Sequence, residues 1–155
     1  MSVKAVNALS HYTNWTIGHV HSGALGWVGY VSFGAIYCLV PWLWKKKLYS
    51  NALVEWHFWL AMAGTLIYVF SMWNSGITQG LMWRTYNDGG TLSYSFLDTV
   101  EAMHPYYIAR AIGGLLFLIG AVIACWNIWK TIVTPSPGAV SVADGQPLPS
   151  LLPAE

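Results

Sequence analysis

The feature that most constrains the fold is a stretch of about 30 residues, Trp15 to Trp44, without any Lys, Arg, Asp or Glu. A helix needs about 20 apolar residues to cross the core of a bilayer. Two more apolar stretches follow, from about Leu53 to Trp83 and from Pro105 to Val133. Only 8% of the residues are charged, against about a quarter in soluble domains. We therefore predict an all-α membrane protein with three transmembrane helices.

The remaining segments are polar or irregular. Residues 1–14 form a lead-in to the transmembrane portion, 15–133. After the second span, the turn signal at 88–90 and a capping box of Ser95 with Asp98 predict a short interfacial helix that ends at His104. Five prolines fall in the last 21 residues. This composition predicts that residues 134–155 are a flexible, disordered tail.

Small and polar residues within the spans predict how the helices meet. Four polar side chains at helical spacing are expected to face other helices: Ser71, Asn74, Ser75 and Thr78. Three glycines of the third span are expected to allow close approach of a neighbouring backbone: Gly113, Gly114 and Gly120. Cys38 and Cys125 lie in apolar runs, where we expect small buried packing residues.

The basic residues predict an orientation and exclude one class of partner. One predicted side of the membrane carries four lysines: Lys45, Lys46, Lys47 and Lys130. The other side carries Lys4, Arg84 and Arg110. Because basic residues are enriched in cytoplasmic loops, the lysine side is predicted to be cytoplasmic. The formal net charge is only +1, and no basic patch indicates binding to nucleic acid.

Two histidines, His19 and His21, stand at the start of the first span. Residues two apart on an α-helix point about 200° away from each other, so the two imidazoles cannot bind one metal ion together. Each imidazole can hydrogen-bond a neighbouring helix, or it can be an axial ligand of a haem iron. Small residues near the two histidines would leave room for a flat cofactor beside this helix. They suit ordinary helix contacts equally well. These residues are Gly18, Ser22, Gly23, Gly26 and Gly29.

The segment HYTNWTIGHVHSGALGW resembles the helix of the haem-copper oxidase superfamily that carries two haem ligands. It is most similar to the C-terminal part of the catalytic subunit, subunit I, of cbb3-type cytochrome c oxidases. Four later strings resemble that subunit in the same order, up to about Thr131: VEWHFWLAMAGT, SGITQGLMWR, YSFLDTVEAMHP and RAIGGLLFLIGA.

The resemblance implies a role for each of four residues. His19 would be the axial ligand of the high-spin haem b that binds oxygen, and His21 an axial ligand of the low-spin haem b that delivers electrons. His11 would lie near a haem propionate, and Arg84 would pair with a propionate or simply mark the interface. At Asn14 the family commonly has Asp, so a negative charge near the propionates is missing.

The family also has a longer chain. Its earlier helices carry the second axial ligand of the low-spin haem, three histidines that bind copper and a cross-linked tyrosine, and this sequence contains none of those segments. Only His57 and His104 are left unassigned, with packing or interface roles expected. The chain is therefore expected to be no enzyme by itself, and to supply no catalytic residue of its own.

In the intact enzyme, a multi-pass protein of the bacterial inner (plasma) membrane, the resemblance implies reduction of dioxygen to water with electrons from cytochrome c, coupled to proton translocation. The partners implied are the rest of the catalytic subunit, c-type cytochrome subunits and membrane lipid. Two alternatives stay open. One is a fragment of the catalytic subunit of a nitric-oxide reductase, and the other is a non-catalytic membrane packing fragment.

Overall fold

The structure, a computed structural model, describes residues 2–135. Its elements in chain order are α1 (Lys4–Ser10), α2 (Asn14–His21), a π-helix (Ser22–Gly29), α3 (Tyr30–Trp44), α4 (Asn51–Trp83) and α5 (Phe96–Val133). Three helical segments are long and apolar enough to span a membrane: Asn14–Trp44, Asn51–Trp83 and Phe96–Val133. The predicted fold class is confirmed. Most of the tail that is predicted to be disordered, from residue 136 onward, lies outside the described residues.

The first span is one continuous helical rod made of α2, the π-helix and α3. The hydroxyl of Thr13 caps its start by accepting from the backbone N–H of Trp15. No pattern in the sequence predicts the π-helix. A π-helix is wider than an α-helix, and Gly23, Gly26 and Gly29 have no Cβ to hinder that widening.

The second and third spans, α4 and α5, pack directly backbone to backbone at Gly64 and Gly113. A Cβ added to Gly64 would lie 2.6 Å from the carbonyl oxygen of Gly113, and one added to Gly113 would lie 2.7 Å from that of Gly64. A Cβ added to Gly120 would lie similarly close, 3.1 Å from the carbonyl oxygen of His57. The close-approach prediction is therefore right for Gly113 and Gly120. It is wrong for Gly114, where an added Cβ would meet nothing within 4 Å.

The N-terminal elements pack against the other end of α4. A Cβ on Gly76 would collide with the backbone of Trp15, and one on Gly80 with the carbonyl of Leu9. Residues 4–10 thus form a helix against α4, whereas their composition predicts only a lead-in. Tertiary contact stabilises α1, because seven residues are too few for a stable isolated helix.

The predicted polar stripe on α4 is confirmed for most of its members. The hydroxyl of Ser71 donates to the carbonyl of Tyr106 at 2.6 Å, and the Thr78 and Tyr106 hydroxyls are 3.3 Å apart. Asn74 is an exception: its side chain is exposed and donates to the carbonyl of Phe70 on its own helix at 2.8 Å. The contacts of Ser71 and Thr78 with Tyr106 thus join α4 to α5 by hydrogen bonds that the lipid cannot supply.

Both cysteines lie on the outside of the helix bundle. Cys38 of α3 and Cys125 of α5 are exposed, so the expectation that they are buried is wrong. Lipid and the protein interior are similarly apolar, so burying a thiol inside the bundle would gain little free energy over leaving it in contact with lipid. Helical periodicity places each cysteine on the outer face of its helix.

A hairpin turn follows α4, as predicted at 88–90. Gly90 has φ of 76°, and the backbone N–H of Asn87 donates to the carbonyl of Thr91 at 2.8 Å. An isolated antiparallel bridge between Tyr86 and Leu92 completes the turn.

The capping box at the start of α5 is also confirmed. The Asp98 carboxylate accepts from the Ser95 hydroxyl at 2.7 Å and from the Ser95 backbone N–H at 2.8 Å. These two hydrogen bonds lower the pKa of Asp98, and the bond from the hydroxyl has the larger effect. Asp98 is fully exposed and precedes the apolar stretch of the third span.

The predicted interfacial helix is not separate from the third span. Helix α5 continues from Phe96 through Pro105 to Val133 without interruption. Pro105 has no N–H to donate to the carbonyl of Glu101. Both residues are exposed, so water can hydrogen-bond that carbonyl and the helix can continue. The first turns of α5 are thus a rigid extension of the span.

Candidate functional site

The two histidines of the first span lie in the last turn of α2 and occupy different faces of it. The ring of His21 is half-buried and stacks on the ring of Tyr68 from α4, with 4.7 Å between ring centroids and 28° between planes. The ring of His19 is exposed. This is the arrangement that the two-residue spacing predicts. No sequence pattern identifies Tyr68, since the contact depends on how α2 packs against α4.

A hydrogen bond fixes the tautomer of His21. Its Nδ1 lies 2.8 Å from the carbonyl oxygen of Ile17, one turn earlier on the same helix. A carbonyl only accepts, so Nδ1 carries the proton and the lone pair is on Nε2. Such a bond to the far nitrogen is what orients a histidine that ligates a metal through the other one. In this tautomer, the lone pair on Nε2 of His21 is available to bind a metal.

Ser22 fixes the backbone of His19. Its hydroxyl donates to the carbonyl of His19 at 2.7 Å, and its backbone N–H contacts the carbonyls of both Gly18 and His19. The π-helix begins at this residue, immediately after the two histidines. Interruptions of this kind are frequent at functional sites. The sequence signal for it is weak, because glycine-rich membrane helices are common.

The small residues around the histidines divide into two groups. Gly18 is buried against α4, where an added Cβ would lie 2.8 Å from Cδ1 of Trp73. Its role is helix packing. At Gly23 and Gly26, by contrast, an added Cβ would meet nothing within 4 Å. That face of the helix leaves room for the edge of a flat group, and the fit to a haem rests on these two positions and not on Gly18.

Asn14 is the centre of a buried polar cluster at the start of α2. Its backbone N–H donates to Oε1 of Gln79 at 2.9 Å. Its side-chain Nδ2 donates to the hydroxyls of Ser75, at 2.7 Å, and Tyr107, at 3.2 Å. The guanidinium of Arg110 lies 4.8 Å from the centroid of the Tyr107 ring. A neutral amide thus joins α2 to α4 and α5 at the position where the resemblance leads one to expect Asp.

His11 and Arg84 lie at the same end of the bundle. His11 follows the end of α1, which contacts α4 near Gly80, and Arg84 follows the end of α4. Both side chains are exposed. The ring of His11 stacks on that of Tyr12, with centroids 4.1 Å apart, and Tyr12 has a left-handed φ of 63°. A non-glycine residue in this conformation costs about 1 to 3 kcal/mol, so the turn before α2 is held by its surroundings.

The two other histidines lie elsewhere. His57 is buried where α3, α4 and α5 meet, with Nδ1 3.0 Å from the hydroxyl of Tyr37 and the ring 4.4 Å from that of Phe33. His104 is exposed on α5. Within residues 2–135, no three His, Cys, Asp or Glu side chains lie close enough together to hold a metal ion.

The three long apolar helices define an integral membrane protein. Residues 1–116 match the family model described as "Cytochrome C and Quinol oxidase polypeptide I". The chain belongs to this family.

Curated relatives agree with this assignment. The chain is 68% identical over 133 residues, 85% of its length, to a protein of Bradyrhizobium diazoefficiens named "Cytochrome c oxidase subunit 1 homolog, bacteroid". It is 52% identical over 144 residues, 92% of its length, to the "Cbb3-type cytochrome c oxidase subunit CcoN1" of Stutzerimonas stutzeri. A subunit 1 homolog of Agrobacterium tumefaciens is 56% identical over 158 residues, covering all of this chain. The resemblance to subunit I, including its cbb3 type, is confirmed.

The matched region is a minor part of each relative. It covers 24% of the Bradyrhizobium protein, 29% of the Agrobacterium protein and 30% of the Stutzerimonas protein. The chain thus spans less than a third of the length of the relatives that it matches.

Proposed function

We propose that the chain is the haem-binding, C-terminal portion of the catalytic subunit of a bacterial terminal oxidase. The observation that carries this proposal is the pair of imidazoles on different faces of α2, with Nε2 of His21 free because Nδ1 is bonded to the carbonyl of Ile17 at 2.8 Å. In the whole oxidase, haem iron supplies the electron-transfer and dioxygen chemistry that side chains alone cannot perform.

The proposed roles follow the faces of α2. His19, on the exposed face, would hold the high-spin haem b, and His21, on the face towards α4, would hold the low-spin haem b. Because both residues lie in the same helical turn, the backbone between them limits how far the two groups can move apart. Ser22 supports this geometry through its hydrogen bond of 2.7 Å to the carbonyl of His19.

The charged and polar side chains at the end of the bundle have supporting roles. Arg84 offers a permanent positive charge to a propionate carboxylate, and His11 offers a ring nitrogen beside it. Both side chains are exposed, so both are free to make such a contact. Asn14 supplies no charge, and its amide positions the start of α2 through Ser75 and Tyr107.

The activity of the whole protein is part of the same proposal. The intact oxidase would lie in the bacterial inner membrane and reduce dioxygen to water with electrons from c-type cytochrome subunits. This reaction would be coupled to proton translocation. Copper and the second axial ligand of the low-spin haem would be held by the rest of the catalytic subunit.

The test is a spectroscopic titration of the purified full chain in detergent with haem b. We expect two haems to bind, and His19→Ala and His21→Ala each to remove one of them. His104→Ala is the matched control, because His104 is an exposed histidine outside α2. Loss of absorbance that is the same in all three variants would contradict the proposal, as would unchanged binding in the double variant of His19 and His21.

A further inference from the structure

A pocket of about 490 Å³ lies at the end of the bundle opposite to His11 and Arg84. The loop between α3 and α4 forms one wall, and the C-terminal end of α5 forms the other. Its lining includes four lysines and three hydroxyl-bearing residues: Lys45, Lys46, Lys47, Lys130, Tyr49, Thr131 and Thr134. No Asp or Glu lines it in the part of the chain that the structure describes. The pocket is therefore strongly positive.

Internal contacts hold two of these lysines in place. The Lys46 ammonium donates to the carbonyls of Ile132, at 2.6 Å, and Thr134, at 2.9 Å, at the end of α5. The Lys130 ammonium lies 4.9 Å and 5.1 Å from the ring centroids of Trp126 and Trp129. These contacts shape the walls of the pocket, and within residues 2–135 no carboxylate lines it to neutralise the lysines.

The other two lysines are available for a ligand. Lys45 and Lys47 are exposed, and Lys45 follows the last residue of α3 with a left-handed φ of 51°, which reverses the chain into the loop. None of the hydrogen bonds found in residues 2–135 engages the ammonium of either residue. Two free ammonium groups beside two fixed ones form a site for a phosphate-sized anion.

The depth of the pocket in the membrane indicates where the anion comes from. Exposed tryptophans flank it on both walls: Trp42, Trp44, Trp126 and Trp129. Tryptophans in such positions lie at the level of the lipid headgroups. Basic pockets between transmembrane helices at this level take anionic headgroups.

We propose that this pocket binds the phosphate headgroup of an anionic phospholipid, with Lys45 and Lys47 as its mobile contacts. The proposal is independent of haem binding, because the pocket shares no residue with α2. It concerns a lipid that is bound specifically, in addition to the general attraction of lysines to the membrane surface.

The test places the full chain in phosphatidylcholine vesicles that contain spin-labelled phosphatidylglycerol or spin-labelled phosphatidylcholine. Electron paramagnetic resonance then measures the relative association of each lipid. We expect a preference for phosphatidylglycerol that falls about fivefold for each removed lysine, in Lys47→Gln and further in Lys45→Gln/Lys47→Gln. Lys45→Arg/Lys47→Arg should keep it, and Lys4→Gln, a single charge at the opposite end, should leave it unchanged.

Several results would overturn the proposal. They are equal association of the two lipids, an unchanged preference in the double glutamine variant, and an equal loss in Lys4→Gln. Full displacement of the labelled lipid by inorganic phosphate would assign the pocket to a soluble ion. The chain beyond Pro135 carries carboxylates at Asp144 and Glu155. If the preference for phosphatidylglycerol appeared only after this segment was removed, the pocket would be a site for the chain's own carboxylates and not for lipid. Circular dichroism checks that each variant keeps its helices.

Discussion

The α4–α5 pair and the first span solve the problem of packing in a membrane differently. Helices α4 and α5 meet at Gly64 and Gly113 so closely that neither position has room for a methyl group. In the first span, no residue of the most apolar 18-residue window is buried inside the structure. Gly26 there would accept a Cβ without contact. One region is thus completed by its own chain, whereas the other presents a face for something else to cover.

This difference has a physical basis in the solvent. Association of helices in lipid depends on close packing and interhelical hydrogen bonds, because burial of apolar surface provides little driving force there. Small residues and polar side chains therefore mark the contacts that the chain makes with itself. The open face at Gly23 and Gly26 has neither kind of contact, so it has room for a flat group.

The largest predicted effect comes from breaking the tight pair. Gly64→Ala should lower the free energy of unfolding by about 3 kcal/mol, because its methyl group meets the backbone of α5, which cannot move aside locally. Equilibrium unfolding in mixed micelles measures this change. Two matched controls, Gly114→Ala in α5 and Gly26→Ala in the first span, have open space and should change stability little. Equal losses in all three variants would show that the two regions do not differ as described.

The next effect concerns the polar joint that attaches the first span to the pair. Asn14→Leu should cost about 2 kcal/mol, since it leaves the hydroxyl of Ser75 and that of Tyr107 without their donor. Asn14→Asp should cost less, because both hydroxyls can rotate and donate to a carboxylate and Arg110 lies beside Tyr107. The same unfolding measurement compares them. An Asp variant as unstable as the Leu variant would show that the cluster requires a donor at this position.

The smallest effect is a pH dependence at the start of α5, beyond the packed pair. The capping hydrogen bonds lower the pKa of Asp98, so its stabilisation is present above the ordinary Asp pKa and is lost as pH falls through the lowered value. We therefore expect the first turn to fray only below about pH 4. Amide hydrogen exchange of residues 96–99 measures this. Asp98→Asn should remove the dependence, and Asp88→Asn, in the exposed turn, should not.

The lengths of the spans were accessible from the sequence because they depend on hydropathy alone. The predicted first span begins one residue away from the observed Asn14 and ends at the observed Trp44. Local chemistry likewise predicted the turn at 88–90 and the capping box of Ser95 with Asp98. Proline rules, in contrast, divided α5 at Pro105, where an exposed carbonyl permits the helix to continue.

For the candidate site, spacing predicted that His19 and His21 occupy different faces, and their roles as haem ligands remain predictions. Spacing could not show which face meets α4, since that depends on Tyr68, 47 positions away from His21 in the chain. It also could not divide the glycines into those that pack, such as Gly18, and those that leave open space, such as Gly23.

The sequence by itself determined the elements: three apolar rods, their caps, and two imidazoles about 200° apart on one of them. These properties depend on residues within a few positions of one another, so they can be read along the chain. The tertiary structure alone decided which faces are filled. It brought Lys130 to the lysines of a loop some 85 residues away, and it buried Asn14 between α4 and α5. Contacts between distant residues depend on how the rods pack, and no local pattern encodes that.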